Sequence, residues 1–214
     1  MKPKQIYYHI QKIENVNPEW FPGDEYFIDP DELNYFHKGL LSGLGVTKNN
    51  DKEESIRLIK HVGELLKGNV DNYKLYCTCE DLKTSLQQYI KWIQEDIFEK
   101  VRLLNYPNLP SRKSCIWLCT FDQIENWIDI IGNTKARYQQ PKIKILSLLV
   151  EGICHEADGL FIDADTYKIE DFETAANNYW SGKNKSDQEI EILFQGKVTI
   201  LNEFKSINEI NKEI

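Results

Sequence analysis

The chain predicts an α+β domain built on a mixed or antiparallel sheet. Two observations carry this. Strand-like patterns stand at both ends, over residues 5–10 and 189–204, and helical periodicity lies between them. No strand–helix–strand unit of the nucleotide-binding kind opens the first 50 residues, so a parallel doubly wound sheet is not expected.

Residues 5–10 (Gln-Ile-Tyr-Tyr-His-Ile) are rich in aromatic and β-branched side chains, as a strand requires. A Pro22-Gly23 turn leads to the short apolar piece Tyr26-Phe27-Ile28. Residues 38–50 carry Gly39, Gly43, Gly45 and Asn49-Asn50 and read as loop. From Asp51 to Leu66, a capping Asp, apolar residues at helical spacing and Gly68 beyond the end predict a helix. A longer helix is expected from about Glu80 to Leu104. Leu82, Leu86, Tyr89, Ile93, Ile97, Val101 and Leu104 repeat at three and four residues, and Pro107 ends it.

Residues 115–120 and 142–151 are apolar strands, with a short helix over 124–131 between them. Residues 160–162 read as a short strand, 170–180 as a helix, and 189–204 as one bent strand or a strand pair. The whole chain, 1–214, is expected to be a single domain with a helical insertion over 51–106.

Composition narrows the function classes. With 41% hydrophobic and 12% aromatic residues the chain has material for a core, which excludes intrinsic disorder. No apolar run reaches the roughly 18 residues that span a bilayer. Tyr7, Tyr8, His9 and Gln11 interrupt any N-terminal signal-like segment, so a cytoplasmic protein without membrane partners is expected. A net charge of −8 disfavours non-specific nucleic-acid binding. Lys135, Arg137, Lys142 and Lys144 form a local basic cluster, read as a solvated loop and strand edge. The five cysteines lack zinc-knuckle spacing, and no metal site is expected from them.

The segment Glu189-Ile190-Glu191-Ile192-Leu193-Phe194 carries the sharpest chemical signal. Residues two apart on a strand point to one face, so Glu189 and Glu191 project side by side from the mouth of a core-like strand. Like charges placed together are costly unless a cationic group or centre is meant to sit with them. The same pair also suits an exposed edge strand, where acids block aggregation.

Three segments together carry a resemblance: Tyr7-Tyr8-His9-Ile10, Pro110-Ser111-Arg112-Lys113-Ser114-Cys115-Ile116-Trp117-Leu118, and Glu189–Phe194. They resemble a bacterial family of uncharacterised cytosolic proteins across most of the chain. More distantly, they resemble the ADP-ribosyltransferase superfamily, in which three strands supply a His or Arg, a Ser- or Tyr-bearing segment and a Glu. Trp117 stands where the His-Tyr-Glu type has a stacking Tyr.

That resemblance implies a split sheet of ADP-ribosyltransferase type and NAD as substrate. It implies Glu191 as the carboxylate that stabilises an oxocarbenium-like ribose, and Glu189 as the base that orients the acceptor. His9 would bond the adenosine-side ribose, Arg112 the pyrophosphate, Ser114 would brace Glu191, and Trp117 would stack on nicotinamide. The acceptor could be a protein, a nucleic acid or a small molecule. A toxin or defence role, with an inhibitory partner protein, follows by analogy.

Each residue also has a plainer reading. His9 between aromatics fits a satisfied core histidine, Arg112 a surface ion pair, and Trp117 a core side chain. A second enzymatic reading uses Asp163 and Asp165 after Phe161-Ile162 to hold a divalent cation against a sugar nucleotide. A non-catalytic binding or regulatory module would instead use N-terminal aromatics such as Tyr7, Tyr8, Trp20, Phe21 and Phe27 as a contact surface.

Overall fold

The computed structural model describes residues 6–13, 19–42, 46–47, 55–56, 63, 67–68, 72–133, 142–162, 168–183 and 189–211. They divide into two compact units: Met1–Asn34 with Ile97–Ile214, and the inserted stretch Tyr35–Asp96.

The first unit is α+β, and its sheet is antiparallel throughout. Strand β1 (Ile6–Lys12) pairs with the long β6 (Ile143–Asp158), and β6 with β7 (Ile190–Phe204). The other edge of β7 carries two short strands in succession. Strand β5 (Ile116–Leu118) covers Ile192–Phe194, and β2 (Glu25–Ile28) covers Gly196–Thr199. Cys119, just past β5, exchanges two backbone hydrogen bonds with Tyr8 of β1, at 2.8 and 2.9 Å. The path β1–β6–β7–β5 therefore returns to β1 and closes on itself, which removes most free strand edges.

Closure gives the sheet an inner and an outer face. Alternation assigns residues to each, because side-chain direction reverses at every residue. Tyr7, Leu118, Leu146, Leu148, Ile192, Phe194, Val198 and Ile200 fill the inside with Trp20. On the outside, Leu193 and Ala157 pack against Phe98 and Val101 of helix α2 (Asn72–Asn105) and against Ala175, Ala176, Tyr179 and Trp180 of α4 (Ile169–Trp180). Trp180 is 1% exposed, and its indole N–H donates to the Phe98 carbonyl at 2.8 Å, so burial leaves no polar group unmet. A second outer cluster joins Tyr8, Cys119, Ile145 and Phe204 to Ile124 of α3 (Ile124–Asn133) and Ile210 of α5 (Ile207–Ile210).

Gly152 and Gly196 face each other across β6 and β7. A β-carbon at Gly152 would stand 2.1 Å from the Gln195 carbonyl oxygen, and Gly196 holds a φ of 132°. The Phe194 ring packs over both, filling the space their missing side chains leave.

Several elements differ from the sequence reading. The bent segment 189–204 is one strand, and 142–151 extends to Asp158. Residues 160–162 are not a strand: the Asp158 carboxylate accepts from Leu160 N at 3.0 Å and winds Gly159–Phe161 into a 3-10 turn. In the inserted unit, the supposed loop begins with helix α1 (Tyr35–Ser42), whose His37 and Leu40 are buried while Gly39 is exposed. Within the expected helix 51–66, Ser55–Ile56 (β4) pairs instead with Val46–Thr47 (β3), as β-branched residues favour. Most of the remaining residues of that span lie outside the described residues. Helix α2 begins at Asn72, about two turns before the expected start, and its last turns from Ile97 belong to the sheet unit. No helix among the described residues is long and apolar enough to cross a membrane.

Candidate functional site

The site begins in the loop Pro110-Ser111-Arg112-Lys113-Ser114 before β5. Cys115 N donates to the Ser111 carbonyl at 2.9 Å, making a tight turn. Asn34 clamps it from outside: its Nδ2 donates to the carbonyls of Arg112 (2.8 Å) and Cys115 (3.0 Å), and its backbone N–H to that of Lys113 (2.8 Å). Ser111 Oγ donates to Glu99 Oε2 of α2 at 2.8 Å. So fastened, the loop sends Arg112 inward between α4 and the outer face of the sheet.

Glu191 meets it there. Its Oε2 accepts from Arg112 Nη1 and from the Tyr179 hydroxyl, the latter at 2.8 Å. The Tyr179 oxygen in turn accepts from Arg112 Nη1 at 2.7 Å. The guanidinium lies against two rings, 5.6 Å from the Trp117 centroid and 5.2 Å from that of Tyr179. The side chains of Arg112 and Glu191 are only 6% and 12% exposed. A guanidinium suits this place because it stays charged when buried and stacks on aromatic faces. Burial pushes the Tyr179 phenol well above its usual value; the Arg112 charge opposes this and the Glu191 charge adds to it. Tyr179 is therefore a neutral phenol that donates to the carboxylate.

The structure brings Glu191, Arg112 and Trp117 together, with Glu189 beside them. A β-carbon built on Gly159 would touch both Glu191 Cγ (3.5 Å) and Glu189 Cβ (3.7 Å), so both acids flank the same side of that glycine. The Glu189 carbonyl accepts from Gly159 N at 2.8 Å.

Two candidates stand elsewhere. His9 pairs with Leu146 on the inner face, opposite to Glu191. Its Nδ1–H donates to the Trp117 carbonyl at 2.8 Å, its ring lies 5.3 Å from that of Trp20, and burial lowers its pKa against the pull of that carbonyl. Ser114 does not brace Glu191; its Oγ accepts from Gln195 Nε2 at 2.7 Å, because Gln195 is the next outward residue but one along β7. Asp163 and Asp165 lie outside the described residues. Lys144 is buried and not solvated, donating to the Trp20 carbonyl (2.6 Å) and Glu203 (3.1 Å). The N-terminal aromatics do not make one surface either. Tyr7, Tyr8 and Trp20 are core, whereas Phe21 and Phe27 are exposed.

Sequence reasoning missed Tyr179 and His155. Both sit in apolar contexts that look like packing. His155 pairs with Leu193 on the outer face, stacks 5.4 Å from Trp180, and donates Nε2–H to the Tyr179 carbonyl at 3.4 Å. Burial lowers its pKa, so it is a neutral imidazole in the physiological range.

No curated protein matches the chain. Residues 7–209 match the model of a family described as a protein of unknown function (DUF2441), which covers β1, the Arg112 loop and Glu191, and the chain belongs to that family.

Proposed function

We propose that the Glu191 cluster is the centre of NAD-dependent ADP-ribose transfer. The observation that carries this reading is the convergence of Glu191, at the head of a rigid strand, with a buried Arg112 and the Trp117 indole. On this reading Arg112 exchanges Glu191 for the NAD pyrophosphate, which matches guanidinium geometry. That exchange frees the carboxylate for the ribose. The glycosidic C–N bond breaks, nicotinamide leaves with the bonding electrons, and Glu191 stabilises the cationic sugar until the acceptor adds. Glu189, beside it, takes the acceptor's proton. An ADP-ribosyltransferase-like sheet belongs to the same proposal, as does a toxin or defence role with an inhibitory partner.

A second reading, a non-catalytic binding or regulatory module, is favoured by one arrangement. Arg112 and Glu191 already satisfy each other, and His9 stands on the other face of the sheet.

Purified protein and its Glu191→Gln variant, each incubated with radiolabelled NAD and lysate, separate the two. Half of the lysate is pretreated with nuclease and half with protease. Label transfer that Glu191→Gln abolishes supports the transferase, and the effective pretreatment names the acceptor class. No transfer, no NAD cleavage and no thermal shift with NAD would leave the binding module standing.

A further inference from the structure

Beyond Glu191 along β7 the outer face opens into a cleft of about 820 Å³, a size common for small-molecule sites. Its floor is the sheet. Gln195 and Ile153 are cross-strand partners there, and Phe27 stands on the neighbouring β2. Helix α2 contributes Leu103 to one wall, and Ser114 and Lys113 of the loop line another.

Two features point to a ligand. Phe27, Leu103 and Ile153 are 68%, 57% and 50% exposed, three large apolar side chains opening on one recess. Between them Gln195 is 8% exposed, yet the described residues give its amide a single hydrogen bond, to Ser114 Oγ. One amide N–H and the amide oxygen are left over. Exchanging the amide's O and N changes nothing, since Ser114 can donate as well as accept. A side-chain amide that is nine-tenths buried and offers an adjacent donor and acceptor at the floor of an apolar-walled cleft is built to read a flat ligand edge.

We propose that this cleft binds an adenine base. The remaining N–H and oxygen of Gln195 match N7 and the N6 amino group of adenine in the usual bidentate pairing. Phe27 and Ile153 supply faces for the ring, and base–aromatic stacking does not require charge. Asp31, Glu99 and Glu151 also line the cleft, and Arg102 is taken up by Glu99, at 2.8 and 3.0 Å. Lys113 lines the cleft too, so its acids exceed its bases by only one; with the net charge of −8, that balance offers no basic track for a polyanion and suits a single nucleoside or nucleotide. The proposal stands apart from the Glu191 chemistry and does not need it.

Calorimetric titration of the full chain tests it with adenosine, AMP and NAD as arms, and purine riboside, which lacks the amino group, as control. The expected result is binding of adenosine, with purine riboside about tenfold weaker for its lost hydrogen bond. AMP or NAD binding more tightly than adenosine would identify the natural carrier of the base. Gln195→Glu, which removes the amide donor, and Phe27→Ala, at an exposed position where folding tolerates truncation, should each weaken adenosine about tenfold. No adenosine binding at millimolar concentration overturns the proposal. So does adenosine binding that ignores both variants, or NAD binding without adenosine or AMP binding. Because Glu191→Gln should leave adenosine affinity unchanged, failure here and failure of the transferase reading are distinguishable.

Discussion

Replacing Glu191 by Gln removes the negative charge facing Arg112 while keeping the shape of the side chain. The guanidinium is 6% exposed and has little water to turn to. Deleting one partner of a buried ion pair costs about 3–5 kcal/mol. Two effects reduce this. The Gln oxygen still accepts from Arg112 and Tyr179 as a neutral group, at about half the strength of a charge-assisted bond. The rings of Trp117 and Tyr179, 5.6 and 5.2 Å away, still stabilise the cation. The net expectation is a loss of about 2–3 kcal/mol, or about 5–10 °C in Tm for a chain of this size. Circular-dichroism melts and urea titrations at pH 7 read it directly. The triple variant Arg112→Met, Tyr179→Phe, Glu191→Leu removes every polar member together, and should lie within about 1–2 kcal/mol of the parent because no buried charge is orphaned. The reasoning is refuted if Glu191→Gln melts within about 1 °C of the parent, or if the triple variant loses the sum of the single losses.

Three further outcomes are expected. His9 and His155 both have folded pKa values below the ordinary 6.5, so the unfolded chain takes up their protons first and stability falls as pH drops below about 6.5. Melts at pH 7.5 and 5.5 should show that loss, and His155→Gln should shrink it; an unchanged pH slope in that variant removes His155 from the account. Burial, with Asp122 nearby, pushes the Cys119 thiol up to about 12, so at pH 8 it is almost wholly protonated as well as covered. A thiol reagent should label exposed Cys79 first and Cys154 next, and should reach Cys115 and Cys119 only after denaturation; rapid labelling of native Cys119 would contradict the packing. Gly152→Ala would drive a methyl to 2.1 Å from the Gln195 carbonyl oxygen and 2.9 Å from Gly196 Cα, both backbone. A loss of about 3 kcal/mol or more in urea denaturation is expected from such overpacking, and a neutral result would mean that the hairpin relaxes there.

Local chemistry made much of the fold legible in the sequence. Alternation and β-branching marked β1, β5, β6 and β7, and the three-and-four spacing up to Pro107 marked α2. Such signals survive because each depends on residues within a few positions of one another. The pairing of Glu189 and Glu191 on one side was legible for the same reason. Gly39, by contrast, made a helix look like loop, since burial of His37 and Leu40 outweighs a propensity of about 1 kcal/mol.

What only the tertiary structure decided was which face each candidate occupies and who its partner is. His9 and Glu191 each lie on a strand, but closure of the sheet through Tyr8 and Cys119 sets one inside and the other outside. Arg112 read equally as a pyrophosphate contact or a surface ion pair, and only the fold buries it against Glu191, Trp117 and Tyr179, the last 67 residues away in the chain. Ser114 went to Gln195, not Glu191, because four residues along β7 carry a side chain on the same face roughly 13 Å further. Spacing along a chain sets the side from which a residue points. The energy that buries an ion pair, or opens a cleft beside it, comes from contacts between segments far apart in sequence.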